Sequence, residues 1–263
     1  MQFAQRNGVK LYFEEAPGAG APVVLIHGWC CDHTYLAPQF EHFANKGRRV
    51  VGLDLRGHGA SDKPVERYTM QGFADDVAFV CDHLGLKKVV AIGHSMGGLV
   101  GFDFASRYPE RLAAFIALDS AIVLSEEAHA AVPRLVADLS GPDHRKVIRD
   151  FVAKTLLLPT DDPERKEKIL SVMTSAPQYV AVSAYLALGE YDAEKSARVT
   201  APSLYIAADE PHARADMNRV RRLLPGLAFG QTVGSGHFCQ LEVPDQVNAM
   251  IDRFLAIAAA AQA

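Results

Sequence analysis

Two short alternations of apolar and polar residues open the chain, Phe3 to Gln5 and Val9 to Glu14, separated by Asn7-Gly8. A period of two reads as strand, and Asn-Gly supplies the left-handed backbone that a tight hairpin needs. The pattern then changes. Pro22-Val23-Val24-Leu25-Ile26 is a continuous apolar run, as are Val50 to Leu53, Val89 to Ile92 and Ala113 to Leu118. Such runs fit strands buried on both faces. Helical periodicity falls between them, at roughly 34–46, 71–85 and 97–107. Strand alternating with helix predicts βαβ units and a mostly parallel sheet, an α/β fold.

The alternation lapses after Asp119. From about 121 to 198 the pattern is helical, with breaks read at Pro133, Gly141-Pro142, Pro159, Asp162-Pro163 and Pro177, and it holds no strand-like run. Strand and helix resume with Ser203 to Ala207, a helix near 214–224, Leu227 to Val233 and a last helix from about 244, whose Ala-rich end reads as a helix terminus. This divides the chain into a core domain, residues 1–120 and 199–263, and a helical insertion, residues 121–198, expected to roof the carboxyl ends of the strands. Its apolar and aromatic residues, Leu124, Leu135, Phe151, Leu156, Met173, Tyr179 and Tyr185, are candidate pocket lining.

Composition narrows the class. Of the 263 residues, 49% are hydrophobic, enough for a sizeable core, and the formal net charge is −4 with no long run of one sign. A nucleic-acid binder would carry a clustered basic face, so none is expected as a partner. No apolar run reaches the roughly 18 residues of a membrane span. Residues Met1 to Asn7 lack the apolar stretch of a signal peptide. The expectation is a cytoplasmic protein with a small-molecule substrate and no membrane partner. Cys30, Cys31, Cys81 and Cys239 show no CxxC spacing and read as buried or half-buried thiols. No His/Cys cluster has ligand spacing, so neither metal nor cofactor is expected. Nothing in the composition signals an oligomer.

Three segments carry chemistry. Lys88 to Ile92 runs straight into Gly93-His94-Ser95-Met96-Gly97-Gly98 and a helix. The string G-x-S-x-G is weak alone. Closing a buried strand and opening a helix, it is the nucleophile-elbow arrangement, with small residues letting strand and helix pack beneath the serine. His27-Gly28-Trp29 ends an earlier strand. Acyl transfer needs two backbone N–H groups aimed at the developing oxyanion, and Met96 and Trp29 are the natural donors. Trp29, the only tryptophan, is also a candidate substrate-binding residue, as is His33 close after it. Gly234-Ser235-Gly236-His237-Phe238 follows the last strand. A histidine in such a loop can reach over the sheet to act as base for Ser95.

Taken with Asp54-Leu55-Arg56-Gly57-His58-Gly59-Ala60-Ser61, which reads as a scaffold turn, these motifs resemble the α/β-hydrolase superfamily, in the branch with a helical cap after the sixth strand. The resemblance implies an eight-stranded, mostly parallel sheet and a cytoplasmic serine hydrolase. It would cleave a carboxylic ester, lactone or related acyl bond through an acyl-enzyme. The sequence departs from the family at the catalytic acid. Most relatives place an aspartate past the seventh strand, where this chain reads Ala207-Ala208-Asp209-Glu210-Pro211-His212, with Pro211 at the expected position. The other location that relatives use is the end of the sixth strand, here Asp119. Asp119 is the preferred acid and Asp209 the alternative, with Glu210 behind them. An acid at Asp119 and the segment Gly28 to His33 are also similar to the cofactor-free quinolone dioxygenases of the same fold. Those carry a second histidine after the elbow serine, where this chain has Met96. A small-molecule receptor on the same scaffold is a further alternative.

Overall fold

The computed structural model describes residues 2–210 and 214–261. Its first feature is the hairpin of β1 (Gln2–Arg6) and β2 (Val9–Ala16). Asn7 and Gly8 both take positive φ, 50° and 85°, as a two-residue turn requires. β3 (Ala19–Ile26), β4 (Arg48–Leu53), β5 (Val89–His94), β6 (Leu112–Leu118), β7 (Ser203–Ala207) and β8 (Ala228–Gln231) complete one sheet of order β1-β2-β4-β3-β5-β6-β7-β8. β2 meets β4 antiparallel, and every later pairing is parallel. The eight-stranded α/β expectation therefore holds.

The continuous apolar runs are explained by burial on two faces. On one face Val24, Ile26, Val51, Ala91 and Phe115 pack beneath α2 (Met70–His83) and α3 (Met96–Arg107). On the other, Val23, Leu25, Val50, Val90 and Ile116 pack against α1 (Ala37–Asn45) and the C-terminal helix (Pro244–Ala260). β8 is an edge strand shorter than the sequence suggests. Phe229 and Val233 there are 46% and 73% exposed, so solvent rather than sheet meets the end of that run.

Four α-helices lie between β6 and β7: α4 (Glu126–Leu139), α5 (His144–Phe151), α6 (Pro163–Thr174) and α7 (Gln178–Glu190). Ser125 and Asp162 cap α4 and α6 by accepting from Ala128 and Arg165 N–H groups. Pro133 does not break the pattern, as the sequence reading had it. It sits inside α4, whose buried Val132 and Leu139 hold the helix together despite the lost backbone bond. Two short helices follow: α8 (Met217–Leu223), and α9 (Cys239–Glu242) just ahead of the C-terminal helix, α10. Among the described residues, no helix is long and apolar enough to cross a membrane.

Strand order dictates where a site can form. From β3 the chain crosses to β4 on one side and later to β5 on the other, so a crevice opens above the carboxyl ends of β3 and β5. The turn from β5 into α3 closes it from below. Ser95 takes φ 54° there, a costly conformation for a side-chain-bearing residue. Backbone packing enforces it. A Cβ on Gly93 would fall 2.2 Å from the Gly97 carbonyl oxygen, and one on Gly97 would fall 2.1 Å from that of Ile26.

Gly97→Ala is expected to cost about 1–3 kcal/mol or more, through overpacking against backbone that cannot yield. Gly226→Ala, where an added Cβ meets nothing within 4 Å, should stay within about 0.5 kcal/mol of wild type. Urea unfolding of the two variants checks both.

Candidate active site

Four strand ends bring the residues of the site together. Ser95 leaves β5 and Asp119 leaves β6, each at positive φ (54° and 40°). The Ser95 N–H donates to the Leu118 carbonyl (3.0 Å), and the Asp119 N–H to that of Ile206 (2.8 Å), so each turn hangs on the neighbouring strand. Ser120 Oγ donates to the Ser95 carbonyl at 2.8 Å. Gly28, beyond β3, comes so close that a Cβ there would stand 3.2 Å from the Cβ of Ser95. The loop after β8 delivers His237.

His237 Nδ1 lies 2.6 Å from Asp119 Oδ2, and both residues are buried. The other carboxylate oxygen, Oδ1, accepts the Ala208 N–H at 3.1 Å. Burial works against charge on both partners, lowering the basicity of His237 and raising the pKa of Asp119. For His237 the Arg214 guanidinium adds to the effect of burial and Glu210 opposes it. For Asp119 the same guanidinium is the largest influence favouring the carboxylate. His94, next to Ser95, donates from Nε2 to the His237 carbonyl (2.8 Å) and packs its ring 4.7 Å from the His237 ring. Burial pushes His94 down to about 3, so it is a neutral support. On the far side Glu242 accepts the Gly236 N–H at 2.8 Å, fixing the loop that carries His237.

Ser95, His237 and Trp29 line one cavity of about 80 Å³. Its roof comes from the helical segment: Leu124, Phe151, Leu156, Met173, Tyr185 and Leu188. The Trp29 indole donates to the Ala181 carbonyl at 2.9 Å, and its ring meets Phe151 and Tyr185 edge-on. Of the lining candidates read from the sequence, Leu135 and Tyr179 lie elsewhere; Tyr179 donates its hydroxyl to the Lys63 carbonyl. His33 also lies outside this cavity. Asp54 at the end of β4 draws its ring away: Nδ1 is 2.9 Å from Asp54 Oδ1, and the ring packs on Tyr12.

The alternative acids have other partners. The Asp209 carboxylate accepts the Gly234 N–H at 3.0 Å, clamping the loop after β8. Glu210 holds Arg214 through two bonds, at 2.7 and 2.8 Å. Pro211 and His212 lie outside the described residues. Asp119, Glu210 and His237 offer three ligand atoms within 4.8 Å of one another, and Arg214 supplies these carboxylates with a cation. Sequence reading missed Arg214. The only local signal was its i,i+4 spacing from Glu210.

A mostly parallel sheet with a serine at a strand-to-helix elbow defines an α/β enzyme of the hydrolase type. The chain belongs to the alpha/beta hydrolase fold family, whose model matches residues 21–244. It is 28% identical to an AB hydrolase superfamily protein, YisY, of Bacillus subtilis, over 92% of this chain and 94% of that one. Among solved structures it is similar to a thermophilic esterase from Thermogutta terrifontis, with malate bound, at 30% identity and TM-score 0.86, covering 98% and 99% of the two chains. An enol-lactonase from Burkholderia xenovorans LB400 shares the fold at 22% identity and TM-score 0.84, over 97% of this chain and 100% of that one.

All four cysteines are free and buried, and burial raises each thiol pKa, that of Cys81 to about 12. Cys31 nonetheless borders the cavity. The folded protein should therefore react negligibly with a thiol-titrating disulfide at pH 8, and all four thiols should react once it is unfolded in urea.

Proposed function

We propose that the protein is a hydrolase of carboxylic esters, with Ser95 as nucleophile, His237 as general base and Asp119 as the acid that orients it. The observation that carries this reading is the 2.6 Å contact between His237 and Asp119, in the same small cavity as a serine held at positive φ. Neutral His237 takes the Ser95 proton through Nε2 as Oγ attacks the ester carbonyl. Asp119 holds Nδ1–H, which fixes the tautomer and stabilises the imidazolium that forms. The tetrahedral oxyanion rests on the N–H groups of Met96 and Trp29. Met96 is the first residue of α3, where helix geometry leaves N–H groups without an intrahelical acceptor and favours negative charge. Trp29 follows the glycine that lies against Ser95. The leaving alcohol takes the proton from His237, and water then releases the acyl group by the reverse relay. No cofactor enters these steps.

Residues 121–198 act as the cap over a core of residues 1–120 and 199–263. The cavity's apolar roof and small volume suit a short, neutral acyl group. The esterase relative supports ester cleavage, and so does a bifunctional esterase/perhydrolase of Acinetobacter calcoaceticus, 34% identical over 52% of this chain and 47% of that one. A cofactor-free dioxygenase would use the same His237–Asp119 pair, but the second histidine that such enzymes carry after the elbow serine is replaced here by Met96.

Hydrolysis of p-nitrophenyl acetate and butyrate should exceed that of the decanoate. Ser95→Ala should lower turnover by about 10³-fold or more while circular dichroism stays unchanged. Turnover surviving in that variant would overturn the mechanism. Oxygen uptake with N-heteroaromatic substrates, in the absence of ester turnover, would favour the dioxygenase. Asp119→Asn should lower kcat by about 10²–10⁴-fold. Asp209→Asn should leave kcat near wild type and act on stability instead, because its carboxylate clamps a loop.

A further inference from the structure

Asp119 has an environment that the triad alone does not account for. A buried carboxylate is costly unless it is paired, and a neutral imidazole carries no charge to pair with it. The formal cation beside it is Arg214, whose Nε lies 3.7 Å from Asp119 Oδ2. Arg214 is itself fixed at three points. Glu210 takes Nε and Nη2 in a two-bond fork (2.7 and 2.8 Å), and Nη2 also donates to the Thr155 carbonyl (2.7 Å), in the turn that ends α5. The backbone around it is zipped to the start of the helical segment: Ser125 N–H donates to the Arg214 carbonyl (3.2 Å), and Asp216 N–H donates to that of Val123 (2.9 Å). A single side chain thus touches the acid beside His237, the loop after β7 and the middle of the helical segment, and it borders the cavity itself.

We infer that Arg214 and Glu210 form a positioning pair that keeps Asp119 ionised and aimed at His237 while latching the cap over the site. The inference rests on reading Asp119 as the acid of the triad. The reason for having two residues lies in the charge count. With His237 neutral, Asp119, Glu210 and Arg214 sum to one negative charge, and the cluster becomes neutral when His237 takes the serine proton. Without Arg214 two carboxylates would face the imidazole, over-stabilise its protonated form and remove the base. Without Glu210 the unneutralised guanidinium would penalise the imidazolium that must form in the transition state. Each residue corrects the other.

Other titratable groups face the pair as well. His94 from β5 stays neutral. Tyr205 from β7 donates its hydroxyl to the Ser120 carbonyl, and burial raises the Cys239 thiol from α9. Glu242, against the loop that carries His237, is raised to about 7 by burial and by the neighbouring Asp161 carboxyl. All four are common to wild type and variants, so they do not produce shifts of opposite sign.

The test is the acid limb of kcat/KM in wild type, Arg214→Gln and Glu210→Gln. Arg214→Gln should move it to higher pH and Glu210→Gln to lower pH, each by about one unit, the size expected for a charge at this range. Arg214→Lys, which keeps the charge and loses the fork, should return the limb towards wild type and recover only part of kcat. Limbs that stay put, or that move together, would overturn the inference. If Arg214→Gln does not fold, a downward move in Glu210→Gln together with a near-wild-type limb in Arg214→Lys decides. NMR titration of the His237 imidazole, in a Ser95→Ala background, reads the same shifts without turnover. Opposite shifts there with no ester hydrolysis in the wild type would uphold the positioning pair and remove the esterase reading; ester hydrolysis with no shifts would do the reverse.

Discussion

A carboxylate sealed at the end of a central strand sets the terms for everything around it. Asp119 emerges from β6 at positive φ into a region that water does not reach, so each of its oxygens needs a fixed partner. One oxygen takes His237, from a loop 118 positions later in the chain, and the other takes a backbone N–H from the turn after β7. Those two bonds tie together the ends of three adjacent strands. They also require positive charge close by, which brings in Arg214 and, through it, Glu210. The polar cluster at the carboxyl end of the sheet is in this sense the consequence of one buried charge.

The opposite wall of the site is built without charge. Ser95 sits in a turn packed backbone against backbone, where a Cβ at Gly93 or Gly97 would collide with the carbonyls of Gly97 and Ile26. The Gly28-Trp29 turn can then lie directly against the serine. Trp29 meets the helical segment through an indole hydrogen bond and two edge-on aromatic contacts, and Arg214 meets it on the other side by donating to the Thr155 carbonyl. A small cavity with an apolar roof strengthens the electrostatics of any charge that develops inside it.

Much of this was legible in order along the chain. Apolar runs marked the buried strands, Asn7-Gly8 marked the hairpin, and the elbow was readable because its requirement is local: small residues on either side of a serine between strand and helix. Pro133 misled because helix interruption is also a local rule, and packing of Val132 and Leu139 outweighed it. His33 shows the limit of reading by proximity. Proximity to Trp29 in sequence placed it near the pocket, but the buried Asp54 on the neighbouring strand turned its ring the other way.

The sequence by itself determined the alternation of elements, the strained serine and the histidine loop, since each depends on residues within a few positions of one another. Only the tertiary structure decided which carboxylate faces His237. Asp119, Asp209 and Glu210 are equally acidic as letters. The register of β6 against β7 and the path of the loop after β8 assign them to the histidine, the loop clamp and the arginine respectively. Of the role of Arg214, the i,i+4 spacing from Glu210 was all that could be read locally. Its place in the site rests on contacts to residues 59 and 95 positions away, and no local pattern encodes a partner at that distance.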